Sequence, residues 1–145
     1  MKKKSTVWIV VSWALVAVCM AVIFGLSAQV ATESTELSVW TTQMLFGVIE
    51  LESVVRKIAH ALEFMGLAVL MFNALRATCG YNRPYLSFAL TVIYAVSDEI
   101  HQLFVEGRAC RLFDIGVDSL GAAAGVIAVS LIALIVETIK RRKLQ

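Results

Sequence analysis

The sequence predicts an all-α integral membrane protein, a bundle of four transmembrane helices with a short amphipathic helix in the first outer loop. Hydrophobic residues make up 59% of the 145 residues and charged residues only 17%, whereas soluble domains carry about a quarter charged residues. The apolar residues also fall into four long blocks, and a helix needs about 20 such residues to cross the hydrocarbon core. We therefore predict a single membrane domain over residues 1–145.

The four blocks predict membrane spans at residues 7–26, 57–75, 86–105 and 114–136. The first block follows Lys2, Lys3 and Lys4, as a secretory signal would, but it is longer than the usual apolar stretch of about 7–15 residues. We therefore expect it to be retained as a span. The second and third blocks contain ionisable residues, which a span tolerates when they face the protein interior or water.

The first outer loop, residues 27–55, has its own periodicity. Its apolar side chains recur at helical spacing at Leu37, Trp40, Met44, Val48 and Leu51. This pattern predicts an amphipathic helix lying on the outer leaflet, and a helix packed over the mouth of the bundle is the alternative. The inner loop carries Gly80, Asn82 and the only proline, Pro84, which is typical of a tight turn between antiparallel helices.

Lysine and arginine set the orientation, because loops on the cytoplasmic side are enriched in them. With the amino terminus inside, the inner segments carry nine of the 13 basic residues and the outer segments four. The outer four are Arg56, Lys57, Arg108 and Arg111. We therefore predict a multi-pass membrane protein with both termini in the cytoplasm. The clustering of basic residues at helix ends argues against nucleic acid as a partner.

Polar residues inside the spans form the candidate site. They are Arg56, His60 and Glu63 on the second span, Tyr94, Asp98, His101 and Gln102 on the third, and Asp114 and Asp118 on the fourth. Glu99 falls to the side of the stripe on the third span. The predicted orientation puts all three groups in the outer half of the membrane. The sequence therefore predicts one polar pocket open toward the outer leaflet, while Gly121 and Gly125 predict close packing within the bundle rather than a dimer interface.

Three motifs carry a resemblance to a known family. They are RKxAHxxEF at residues 56–64, DExHQxF at 98–104 followed by Gly107 and Arg108, and the spacing of Asp114, Asp118, Gly121 and Gly125. Together with Ser27 and Gln29 after the first span, this order resembles the VanZ-like family over nearly the whole chain. Glu106 departs from the pattern, since the family often has proline there. The resemblance implies a bacterial membrane protein linked to tolerance of teicoplanin, a lipoglycopeptide, and implies no settled reaction or cofactor.

The functional interpretation is a pocket that acts on or modulates cell-envelope components. The candidate catalytic residues are His60, Glu63, Asp98 and His101, with a histidine as general base oriented by Glu63 or Asp98. The candidate substrate-binding residues are Arg56, Tyr94, Gln102, Arg108, Asp114, Asp118, Ser27 and Gln29. The expected partners are the bilayer and a lipid head group or lipid-linked wall precursor, with its phosphate near Arg56 and Arg108. For Ser27 and Gln29, hydrogen bonding at the helix end is the favoured interpretation.

Other interpretations remain open at the level of sequence. One alternative is that the polar cluster is an internal ion-pair network in a structural or accessory protein, because polar groups hold membrane helices together. Alternatively, the two candidate histidines with Glu63 and Asp98 would ligate a metal in an enzyme acting on a lipid-linked substrate. A proton-coupled transporter is a further possibility, although four helices leave little room for alternating access. The sequence predicts neither the substrate nor the oligomeric state.

Overall fold

A computed structural model of the protein describes residues 6–29, 40, 52–106 and 110–143. These residues form four helices and no strand: α1 Thr6–Ser27, α2 Glu52–Cys79, α3 Pro84–Gln102 and α4 Leu112–Arg142. The predicted spans at residues 7–26, 57–75 and 114–136 lie within α1, α2 and α4, and α2 and α4 extend several residues beyond them. The third span was predicted to reach residue 105, where the chain has already left α3 in a turn. The predicted surface helix lies outside the described residues apart from Trp40, which is largely exposed.

Contacts between helices establish an up–down–up–down arrangement. Tyr94 on α3 bonds Met20 on α1, and four residues further along α3 Asp98 bonds Ser27, so these two helices run in the same direction. Ser87 on α3 donates to the carbonyl oxygen of Ala68 at 2.9 Å, which fixes α3 antiparallel to α2. Consequently the end of α1, the start of α2, the end of α3 and the start of α4 share one end of the bundle.

The turn between α2 and α3 lies at the opposite end. Gly80 follows α2 with φ at 89°, a left-handed conformation in which a side chain would be strained. Pro84 then occupies the first turn of α3, where its missing N–H costs nothing and its fixed φ suits a helix. This confirms the tight turn predicted from the glycine and proline.

α2 is the central helix, since it has the most extensive contacts with the other helices. Its apolar side chains fill the core: Phe64, Leu67 and Phe72 are fully buried. Burying side chains of this size contributes about 1.5–3 kcal/mol each in water, but in a membrane the same packing acts mainly through van der Waals contact. Close packing of α2 therefore determines where the remaining helices lie.

Two glycines bring α4 against α2. A β-carbon at Gly121 would overlap the carbonyl oxygen of Ala61, and one at Gly125 would overlap that of Met65. Gly125 lies four residues after Gly121 on α4, and Met65 lies four residues after Ala61 on α2. The two helices therefore run parallel at very short separation. This confirms the prediction that the Gly-xxx-Gly spacing packs the bundle internally.

Three of the four helices are long and apolar enough to cross a membrane: α1, α4 and most of α2. The polar side chains in the last turns of α3, among them Asp98, Glu99 and His101, lower the hydropathy of this 19-residue helix. The prediction of a membrane protein is therefore supported by three helices. A fourth span through α3 stays a prediction.

Candidate functional site

The predicted site residues gather at one end of the bundle, which we call the polar end. It comprises Ser27 at the end of α1, residues 56–63 of α2, residues 98–102 of α3 and residues 114–118 of α4. The alternating direction of the helices produces this convergence, because the last turns of α1 and α3 and the first turns of α2 and α4 lie at the same end of the bundle. Arg108 lies outside the described residues.

Asp98 is the most connected of these side chains. It is only 1% exposed, and its Oδ2 accepts hydrogen bonds from the Ser27 hydroxyl at 2.7 Å and from Gln102 Nε2 at 3.3 Å. Its Oδ1 is buried and has no hydrogen-bond partner. The hydroxyl of Ser27 thus bonds across helices, so the interpretation that it caps its own helix end was wrong.

His101 lies one turn beyond Asp98 but does not bond it. Its ring stacks on Phe24 of α1, with 3.8 Å between centroids and 22° between planes. Its Nε2 is buried and lacks a hydrogen-bond partner. Because Asp98 bonds Ser27 and Gln102 instead, a histidine oriented by Asp98 is not what this arrangement provides.

Tyr94 joins α3 to α1. Its hydroxyl donates to the carbonyl oxygen of Met20 at 2.6 Å, and its ring lies 6.1 Å from that of Phe64. This hydroxyl is occupied by a contact within the bundle. The predicted substrate contact through Tyr94 would have to come from the ring or replace this bond. Gln29, in the bend after α1, donates its backbone N–H to the Leu26 carbonyl oxygen at 3.3 Å.

On α2, His60 and Glu63 form a close pair. Their Nδ1 and Oε2 atoms are 3.7 Å apart, and both side chains remain partly exposed at 20% and 27%. The charge of Glu63 also interacts with that of Asp98 on α3. This brings two of the predicted stripes together. Arg56 is half-buried one turn before His60 on the same helix.

α4 contributes Asp114 and Asp118, one turn apart. Asp114 accepts Lys57 as an ion-pair partner at 3.8 Å, and the same Lys57 ammonium lies 4.3 Å from the centre of the Phe113 ring. Asp118 is 3% exposed, and its charge interacts with those of Asp98, Asp114, Glu63 and Glu99. The stripes of α2, α3 and α4 therefore converge.

Two members of the polar end were missed by sequence reasoning. Glu99 is 2% exposed and accepts the backbone N–H of Arg111 at 2.9 Å. The buried positions Ser87, Thr91 and Ala95 precede it at intervals of four residues, so a stripe traced through these small residues would have included Glu99. Lys57 was used only to predict the orientation. It lies one helical turn before Ala61, which packs on α4, and its ammonium lies beside Asp114 of that helix.

A comparison with family models decides what the chain is related to. The model described as VanZ/LLP1 matches residues 12–135. The chain belongs to the VanZ-like family. Searches of curated proteins and of solved structures found no match. The VanZ-like match includes all the described residues of the polar end and confirms the resemblance carried by the three motifs.

The metal interpretation receives no geometric support. Within residues 6–29, 52–106 and 110–143, no three histidine, cysteine, aspartate or glutamate side chains come together closely enough to hold a metal ion. The predicted ligands are instead divided between the His60–Glu63 pair, the Asp98 hydrogen bonds and the stacked His101. The polar end is thus a group of carboxylates coupled through charge, with two separate histidines at its edges.

Proposed function

We propose that this VanZ-like protein binds a component of the cell envelope at its polar end and thereby modulates how the cell surface handles lipoglycopeptides such as teicoplanin. One observation carries the proposal: buried carboxylates from α3 and α4 keep oxygens without hydrogen-bond partners, at Asp98 and Asp118. Charged groups at membrane depth are costly and are retained mainly for function. The VanZ-like membership supplies the link to teicoplanin, which comes from the family name.

The polar end would face the outside of the cell. Nine of the 13 basic residues fall on the predicted inner side, and that bias sets orientation in membrane proteins. Both termini and the α2–α3 turn would then be cytoplasmic, in the bacterial cytoplasmic membrane with α3 as a fourth span. Lipid-linked wall precursors are displayed on the opposite face, so such a substrate would reach the polar end directly from the outer leaflet.

A second candidate is an enzyme acting on the same component. The His60–Glu63 pair favours it, because a carboxylate charge 3.7 Å from Nδ1 would stabilise the protonated form of the ring without a hydrogen bond between the two. His60 would then accept a proton from a bound hydroxyl or water. If the protein binds this component without catalysis, Glu63→Gln would weaken binding of the component only as much as the loss of any other single charge at the polar end.

The test is expression in a susceptible Gram-positive host at matched membrane levels, with the teicoplanin concentration that stops growth as the readout. Wild type should raise it, while His60→Ala, Glu63→Gln and Asp98→Asn should reduce or abolish the rise. Glu137→Gln is the matched control, since this carboxylate lies at the other end of α4 and is 44% exposed. If all three polar-end variants protect as well as wild type, the site is elsewhere. If wild type changes nothing, the link to teicoplanin fails for this chain.

Orientation is tested separately. A reporter active only in the cytoplasm should be active after Gln145 and near Gly80, and silent near Gly107. Activity near Gly107 would place the polar end inside the cell and remove the wall precursor as its ligand.

A further inference from the structure

Asp118 is the buried carboxylate that the bundle leaves without a partner. It is 3% exposed, and no side chain or backbone group in residues 6–29, 52–106 and 110–143 makes a hydrogen bond or ion pair with it; its Oδ1 is among the buried atoms without a partner. The groups whose charges reach it are all acidic, namely Glu63, Asp98, Glu99 and Asp114. Five carboxylates from three helices therefore share one region.

The basic side chains seen beside this group contact its partly exposed members, and His60 lies 3.7 Å from Glu63. Lys57 reaches Asp114, but only at 3.8 Å and with 39% of its side chain exposed, so it lies at the rim. Glu99 and Asp98 receive neutral hydrogen bonds, from Arg111 N–H and from Ser27 and Gln102. Burying like charges together without a counter-charge is strongly unfavourable. A positively charged ligand beside Asp118 would relieve this repulsion.

A metal ion and an ammonium group need different arrangements of acceptor oxygens. A metal ion needs its ligand oxygens about 2.0–2.6 Å away, and no three acidic, histidine or cysteine side chains of the described residues lie that close together. A primary ammonium has three N–H donors and reaches its acceptors at about 2.7–2.9 Å. The buried Oδ1 atoms of Asp98 and Asp118 offer acceptors for two of these donors.

We propose that the carboxylates around Asp118 bind a primary ammonium group. Asp118 and Asp98 would accept its N–H groups through their unpartnered Oδ1 atoms, and Glu63 would complete the cage from α2. Asp114 and Glu63, whose side chains are 30% and 27% exposed, mark the way in. The proposal rests on the proposed function, because it names the chemical class of the envelope component bound at the same polar end.

The entrance to the polar end adds a second requirement for the ligand. Lys57 stands beside Asp114 at the entrance, held over the Phe113 ring, and would contact a phosphate while the ammonium enters below it. A head group with an ammonium a few bonds from a phosphate satisfies both positions. The ammonium itself has two possible sources, an amino-lipid or a soluble amine, which the experiment separates.

The test measures the thermal unfolding temperature of the purified protein in nanodiscs. Phosphatidylethanolamine should raise it relative to phosphatidylcholine, which has the same phosphate but a trimethylated nitrogen without N–H donors. Asp118→Asn should abolish this difference without lowering the unfolding temperature in phosphatidylcholine, since an amide replaces an unpartnered carboxylate. Glu63→Gln should reduce the difference, and serves in place of Asp118→Asn if that variant does not fold. Glu137→Gln should retain it in full.

Additions to the phosphatidylcholine discs separate the ligand classes. A rise produced by free ethanolamine assigns the site to amines in general, whereas a rise seen only with the lipid assigns it to an amino-lipid; both support the ammonium. The proposal is overturned by an equal unfolding temperature in the two lipids, by an undiminished difference in Asp118→Asn and Glu63→Gln, or by an equal rise with Mg²⁺. If the lipids do not differ while Asp98→Asn still removes teicoplanin protection, the proposed function stands and the ammonium site does not.

Discussion

The two ends of the bundle manage their polar residues differently. At the turn end, around the α2–α3 turn, Arg76 pairs with Glu137 at 3.4 Å and both side chains are about 40% exposed, at 38% and 44%. Arg83 likewise bonds the hydroxyl of Tyr81 there, and among the described residues the two buried atoms without a hydrogen-bond partner at this end, Asn82 Oδ1 and Arg83 Nε, belong to partly exposed residues. At the polar end, Asp98 and Asp118 are almost completely buried and retain unpartnered oxygens.

The charges at the two ends differ in their effect on stability. An exposed ion pair such as Arg76–Glu137 contributes about 0–1 kcal/mol and costs little to keep. A buried carboxylate without a partner destabilises the bundle that contains it. If the polar end served only to join helices, the pairing seen at the turn end would suffice. This contrast supports the ligand proposed for the polar end.

The largest expected effect tests the packing that brings α4 to the polar end. Gly121→Val should destabilise the protein by about 3 kcal/mol or more, because the added carbons overlap the backbone of Ala61 on α2. Gly116→Val is the matched control five residues earlier in α4, where a β-carbon meets nothing within 4 Å. Equilibrium unfolding in mild detergent measures both. Equal destabilisation would mean that close contact with α2 does not explain the effect.

A smaller effect is expected for the bond between α1 and α3. Ser27→Ala should cost about 1–3 kcal/mol, since it leaves Asp98 Oδ2 with the longer bond from Gln102. Ser97→Ala, one residue before Asp98, removes only an exposed hydroxyl bonded within its own helix to Tyr94. That variant should change stability by less than about 0.5 kcal/mol. A Ser27→Ala protein as stable as Ser97→Ala would show that the buried bond contributes nothing.

The smallest effect belongs to the turn end. A double-mutant cycle of Arg76→Ala and Glu137→Gln should give a coupling free energy of about 0–1 kcal/mol, because the pair is exposed. High salt should reduce it further. A coupling of about 3 kcal/mol would make this pair equivalent to buried contacts, and the contrast between the two ends would be lost.

Sequence alone accounted for the helices because hydropathy blocks and turn residues act locally. The four predicted blocks match α1 to α4, and Gly80 and Pro84 marked the tight turn. The convergence of Glu63, Asp98 and Asp118 was also predictable, since alternating helix directions place matching segments at one end. Such reasoning predicts how far along the bundle a side chain lies, but not which side chain of another helix it contacts.

Partners across helices were the part that sequence did not predict. Asp98 was expected to orient a histidine, but its oxygen accepts Ser27 from a helix 71 residues away in the chain, while His101 stacks on Phe24. Several polar groups lie at the same depth, and the rotation of each helix about its axis determines which of them come into contact. Small residues such as Gly121 set that rotation only through their contact with α2. Glu99 was missed for the same reason.

The polarity of α3 bears on how the chain enters the membrane. A helix ending in Asp98, Glu99 and His101 gains too little from lipid to partition by itself, and the turn at Gly80 ties it to α2. We therefore expect α2 and α3 to insert together as a hairpin, with Ser27 already present to receive Asp98. The order of synthesis would then matter: a chain lacking α1 should leave α3 exposed to quality-control proteases, which pulse-chase measurement of its lifetime against the full chain would reveal.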